Sequence, residues 1–219
     1  MMIYGTEYVL HSLKHFCNIR EKSAIFEAER SARDENGSIS DASVRLVENT
    51  LIAFEMKKYG QMDDQFGDKL KRKLEDDETK ILLRNFRKLA ILSSDIESTR
   101  VGARFLFEKL SEAKDGLDAR GDRFGVGAAK IMNFLFPELF VIMDSFVIKG
   151  LGLSGFPDFR NYWSIMTRCR EELREWQQKF EGLESLTCLD QKPTTLTRIF
   201  DKCAFVMGLE KRGIVRYRR

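Results

Sequence analysis

Only three prolines, Pro137, Pro157 and Pro193, interrupt a chain of 219 residues. Proline is the residue that a helix interior excludes most strongly, so long stretches are free to be helical. The apolar residues fall where helices need them. Leu82, Phe86, Leu89 and Ile91 recur at helical spacing within Ile81 to Leu92, and Tyr162 to Phe180 reads as one long amphipathic helix. Ser40 or Asp41 can cap a helix carrying Val44, Leu46, Val47, Leu51, Ile52 and Phe54. Ser98 or Thr99 can cap another with Phe105, Leu106 and Leu110 inside. Thr194 or Thr195 opens a last helix with Leu196, Ile199, Phe200, Phe205 and Val206 turned inward. Met1 to about Ala32 holds one or two more helices. No segment alternates with the period of two that a half-buried strand needs. The expected fold is all-α, with about eight to ten helices.

Composition sets the frame around these helices. With 43% hydrophobic residues the chain can bury a proper core over 1–219, either as one body or as two lobes, 1–95 and 96–219. Asp68 to Glu78 mixes both signs of charge as a solvated helical face does, and Arg33 to Ser38, Gly60 to Gly67 and Gly152 to Pro157 read as breaks. Charged residues make up 32% and nearly balance at a formal +3, so bulk charge does not select nucleic acid. The segment Lys211 to Arg219 differs, with five basic side chains and no acid, and such tails can neutralise phosphates. Cys17, Cys169, Cys188 and Cys203 are scattered, without zinc or iron–sulfur spacing, which suits free thiols in a reducing cytosol. His11 and His15 share a helix face but lack a third ligand, so neither metal nor cofactor is expected. No secretory leader and no apolar run of about 18 residues is seen, and the expected location is cytoplasmic, away from membrane.

One stretch departs from the generic pattern. Gly125-Val126-Gly127 reads as a tight turn between two helices, in which glycine lets the backbone approach another chain closely. The helix opening after it offers unpaired N–H groups and a positive dipole end to a phosphate. Val126 can plug the turn into the core, while Arg120, Arg123, Lys130 and Lys149 flank it. Pro137 stops the helix at Phe136. An almost wholly apolar run then ends in Asp144, 17 residues after Gly127. A carboxylate in that place is expected to be partly buried, with a perturbed acidity, and able to cap a helix over Ser145 to Leu151.

Phe124 to Lys130, followed by Phe140-Val141-Ile142-Met143-Asp144-Ser145-Phe146-Val147, resembles the helix-hairpin-helix and aspartate core of the DNA base-excision glycosylases, of the endonuclease III and adenine-glycosylase type. The resemblance implies duplex DNA as partner and phosphate contact at Gly125, Val126 and Gly127, with Arg123 and Lys149 beside them. It also implies Asp144 in the pocket that receives a flipped base. Lys130 is the candidate for the Schiff-base lysine of bifunctional members, although it stands three residues past Gly127 where they place it two past; Ala129 holds the family's position. The interval from Gly127 to Asp144 is also about three residues short, roughly one helical turn. Phe156, Phe159, Tyr162 and Trp163 are candidates to stack on an extruded base or wedge into the duplex. A second resemblance, of Ala129 to Phe140 with Asp144-Ser145 and Arg198 to Lys202, is to uncharacterised bacterial and archaeal proteins of this size. The expectation is a DNA-binding protein, either an N-glycosylase centred on Asp144 or a non-enzymatic module for DNA or protein on the same scaffold.

Overall fold

The computed structural model describes residues 8, 12, 40–53, 62–93, 95–113, 124–179 and 195–214. Among them the fold is all-α, with eight helices and no strand. These are α1 Asp41–Ala53, α2 Phe66–Glu75, α3 Asp77–Phe86, α4 Ile96–Ser111, α5 Gly125–Leu135, α6 Ser145–Gly150, α7 Phe159–Lys179 and α8 Leu196–Lys211. None of the described helices is long and apolar enough to cross a membrane.

The helix ends follow side-chain caps. Ser40 Oγ accepts from the Ser43 amide at 3.2 Å and starts α1. Thr195 Oγ1 accepts from the Arg198 amide at 3.3 Å and starts α8. The cap of α4 is neither Ser98 nor Thr99. Asp95 takes that place, accepting from the Glu97 amide at 3.2 Å. Ser98 and Thr99 lie inside the first turn and return their hydroxyls to the carbonyls of Asp95 and Ile96, both at 2.7 Å. The charged stretch after Gly67 is two helices rather than one face. Asp76 is extended, accepts from Thr79 N at 3.4 Å and Oγ1 at 3.1 Å, and pairs with Lys109 of α4. Phe66, Leu70 and Leu74 still give α2 a buried stripe beneath its charges. The segment expected to be helical to Leu92 ends at Phe86, and the Ile91 amide donates to Glu138 O at 2.9 Å instead.

One cluster of buried residues runs from Val44 to Leu209 and includes residues on both sides of 95–96. Phenylalanine edges organise part of it. Phe86 meets Phe136 and Phe140 at 5.8 and 5.2 Å between centroids, and Phe107 stacks on Tyr162 at 5.1 Å. Edge-to-face pairs of this kind add about 0.5–1.5 kcal/mol beyond the area they bury. Within the core lies α8, whose residues from Thr197 to Val206 are all buried; a helix covered on all sides is an inner element rather than a surface one.

The closest helix contact joins α6 to α8. A methyl group on Gly150 would overlap the Ala204 carbonyl oxygen, and one on Gly208 would overlap the Phe146 carbonyl oxygen. Neither glycine has a positive φ, so closeness alone requires them. Gly208→Ala should therefore cost about 1–3 kcal/mol or more, since a backbone rather than a side chain has to move. Gly67→Ala meets only the flexible end of Glu48 at 3.0 Å and should be nearly neutral. Urea unfolding of the two variants checks this; equal losses would mean that α6 and α8 do not depend on the contact.

Candidate functional site around Asp144

Leu139, Phe140, Val141, Ile142 and Met143 are all buried, which makes this run a core segment that surfaces at the half-buried Asp144. Asn133 of α5 pins it by donating Nδ2 to Phe140 O at 2.6 Å. Asp144 is extended and caps α6: its Oδ1 accepts from the amides of Phe146 at 2.8 Å and Val147 at 2.9 Å. Its Oδ2 takes no hydrogen bond among the described residues. A six-residue helix is far too short to stand alone, and three contacts support it besides the glycines. Lys211 Nζ donates to Gly150 O at 2.8 Å and Lys149 O at 3.3 Å, satisfying carbonyls at the end of α6. The Phe146 ring has Phe205 at 5.0 Å, and the Arg212 guanidinium lies over it at 4.3 Å. Two of the five basic tail residues are thus engaged within the protein.

Within α7 and α8 lies a buried set of charges that the sequence reading did not single out as a site. Arg198 Nη1 donates to both oxygens of Asp201, at 2.6 and 2.8 Å, with side chains only 7% and 2% exposed. Lys202 and Glu172 are buried as well. Burial pushes the Asp201 carboxyl up to about 6; Arg198 and Lys202 pull the other way, and Asp144 adds to the rise. Burial likewise pushes the thiols of Cys169 and Cys203 upward, so neither is a ready thiolate. The available sequence signal was Arg198, Asp201 and Lys202 set among apolar residues of one helix.

The other expected site residues are placed as follows. Gly125, Val126 and Gly127 form the first turn of α5 rather than a connection between helices, and none has a positive φ. Glycine is needed at 125 because a methyl group there would overlap the Pro157 carbonyl, and at 127 because the Phe124 ring covers it. The chain that closely approaches this backbone is the protein's own. Phe124, the residue preceding α5, supplies no side-chain cap and sets its ring edge-on to Phe66 at 5.3 Å. Lys130 is only 6% exposed on α5, and Lys149 is exposed at the end of α6. Arg120, Arg123, His11, His15, Cys17, Cys188 and residues 215–219 lie outside the described residues.

The four candidate aromatics separate. Tyr162 is fully buried, Phe159 is half-buried, and Trp163 donates Nε1 to Glu97 at 3.3 Å. Phe156 alone of the four is open, at 68%. Its loop is fixed by Asn161, which donates Nδ2 to the carbonyls of Phe156 at 2.7 Å and Ser154 at 3.0 Å. Gly155, at φ 95°, makes the bend. A surface cleft of about 240 Å³ lies on α1 and α2, lined by Asp41, Arg45, Glu48, Asp64, Asp68 and Lys71, and includes none of the elements that carry Asp144. Among the described residues no three His, Cys, Asp or Glu side chains gather as metal ligands. No protein-family model, curated protein or solved structure matches the chain.

Asp201 makes stability depend on pH with a defined sign. Its folded value, about 6, exceeds the ordinary 3.8, so the folded state binds the proton more tightly. The stability this gives is complete below about 3.8 and is lost as pH rises through about 6, a loss of about 3 kcal/mol. Asp41, Asp63 and Asp76 are held below their ordinary values by Lys71, Lys69 and Lys109; their contributions have the opposite sign and titrate below this window. Urea unfolding of the wild type should show stability falling between about pH 4 and pH 7. Asp201→Asn, which keeps an acceptor for Arg198, should remove most of that fall.

Proposed function

We propose that the chain binds duplex DNA through a glycosylase-like core and releases a base with Asp144 as the carboxylate that faces the sugar. The observation that carries this reading is the division of labour within the Asp144 side chain. Two amides fix Oδ1 and so fix the plane of the carboxylate, while Oδ2 is not engaged by the described residues. As a base leaves, positive charge develops on the sugar ring. A pre-oriented negative oxygen stabilises that charge without reorganising, and it can also accept a proton from the attacking water. Lys149, exposed at the end of the same helix, and the tail beyond Gly213 supply positive charge for phosphates. The buried position of Lys130 favours hydrolysis by Asp144 over a lysine-borne lyase step.

A second reading keeps DNA or protein binding without chemistry. It is favoured by the glycines of α5, whose identity is already required by Pro157 and Phe124, and by Asp144 itself, whose capping bonds alone justify an aspartate.

The two readings part on one variant. Asp144→Asn keeps the cap, since Asn caps as well as Asp, so the protein should fold and its DNA affinity should hold or tighten. Release from duplexes carrying uracil, 8-oxoguanine, alkylated purines or mismatched adenine should drop by about 10² or more. A wild type that binds these duplexes yet releases nothing establishes the module instead. The tail gives a further test. With Lys211 and Arg212 engaged internally, only Arg216, Arg218 and Arg219 are left for phosphates. Deleting residues 215–219 should flatten the slope of log K against log salt by at most about 3 units; an unchanged slope would leave the tail no part in binding.

A further inference from the structure

Cations carried by α6, α7 and the end of α8 converge on residues 146–152. The last carbonyls of a helix lack partners within it, and here charged side chains supply them. Lys211 donates Nζ to Gly150 O at 2.8 Å and Lys149 O at 3.3 Å, and Arg168 of α7 donates Nη1 to Leu151 O at 3.1 Å. The Arg212 guanidinium lies 4.3 Å from the centre of the Phe146 ring, and Lys149 itself stands exposed on α6. Lys69, Lys71, Lys73 and Lys109, by contrast, each sit against a carboxylate. Lys149, Arg168, Lys211 and Arg212 form no ion pair with the described residues. Glu210, beside Lys211 in sequence, accepts from the Tyr8 hydroxyl at 2.8 Å. A carbonyl oxygen or a ring face fixes a cation without cancelling its charge, as a carboxylate would.

We propose that this patch at the end of α6 binds the sugar-phosphate backbone of a DNA strand, with Lys149 and Arg168 reaching phosphates and Lys211 and Arg212 adding fixed positive charge behind them. A guanidinium carries five N–H donors, and Leu151 O takes one, so Arg168 keeps donors for a phosphate. The pattern of charge along α6 selects the partner. The half-buried carboxylate of Asp144 stands five positions before Lys149, about 7.5 Å along the helix axis. An anionic lipid surface would set negative charge against the patch and the carboxylate alike. A DNA strand instead carries one phosphate per about 3.4 Å of helix axis, with uncharged sugars between them. It can rest a phosphate on the patch and present a sugar to Asp144 about two nucleotides away. The approach of a sugar to Asp144 rests on the function proposed above; the phosphate contact does not.

The experiment is fluorescence anisotropy of a labelled DNA duplex of arbitrary sequence, titrated with the full chain between about 50 and 200 mM salt. Lys149→Gln combined with Arg168→Gln keeps amide donors and removes two charges. Affinity should fall about tenfold or more at the lowest salt, and the slope of log K against log salt should flatten by about 2 units. Lys149→Arg with Arg168→Lys keeps both charges and should keep the wild-type slope. Lys88→Gln with Arg104→Gln removes as much charge outside the patch and should leave the slope within about half a unit of wild type. If the paired variant folds poorly, Lys149→Gln alone, at an exposed side chain, should flatten the slope by about 1 unit. An unchanged slope in a folded patch variant overturns the proposal, and so does an equal loss in the Lys88 and Arg104 variant. A wild type that binds vesicles of anionic lipid but not the duplex overturns it too. Patch-dependent binding without release of any base removes the enzymatic reading and keeps the surface. Base release with an unchanged slope in the patch variants does the reverse.

Discussion

The contact between Gly150 and Gly208 governs how the rest of this structure can be arranged. Two helices that touch through carbonyl oxygens leave no space for side chains between them, so α6 rests on the backbone of α8. That seating brings Phe146 between Phe205 and Arg212 and puts the C-terminal carbonyls of α6 within reach of Lys211. With both ends and one face held, six residues keep helical geometry that they would lose in isolation. Asp144 inherits its orientation from this arrangement. The carboxylate is placed less by its own neighbours in sequence than by a helix more than 50 residues further along the chain.

The same inner helix carries charge where apolar residues would pack more cheaply. Arg198 Nη1 reaches both oxygens of Asp201, and the cost of burial appears as the raised proton affinity of Asp201. Replacing either partner alone with an apolar residue would strand a buried charge, which is far more damaging than replacing both. Ionic burial on this scale is weak evidence for stability.

Local rules recovered much of the fold. Ser40, Thr195 and Asp144 cap the helices expected of them, Pro137 stops α5 after Leu135, and the long helix α7 has nearly the expected limits. These features are written in a few adjacent residues, through capping bonds and the backbone limits of proline. Features set by distant partners were not legible. Asp76 breaks the charged stretch by capping α3 while pairing with Lys109, 33 residues away. Gly125 is a glycine because of Pro157, and no spacing rule connects those positions. Of the four aromatics proposed for base contact, Tyr162 and Trp163 are buried and Phe159 is half-buried, which helical periodicity alone cannot distinguish from a recognition face. The cap at Asp144 is legible from its place at the end of an apolar run, whereas the burial of Asp201 is set by elements distant in sequence.

The loop bearing Phe156 has a mechanical consequence. Asn161 clamps its carbonyls, Gly155 bends it, and Pro157 rests directly against the Gly125 backbone. The exposed ring is held on a stiff lever whose fulcrum is the first turn of α5. Such a ring has little backbone freedom left to surrender when something presses on it, so contact there is entropically inexpensive. Force applied at the tip passes through Pro157 into α5, the helix whose Asn133 holds the run that leads to Asp144.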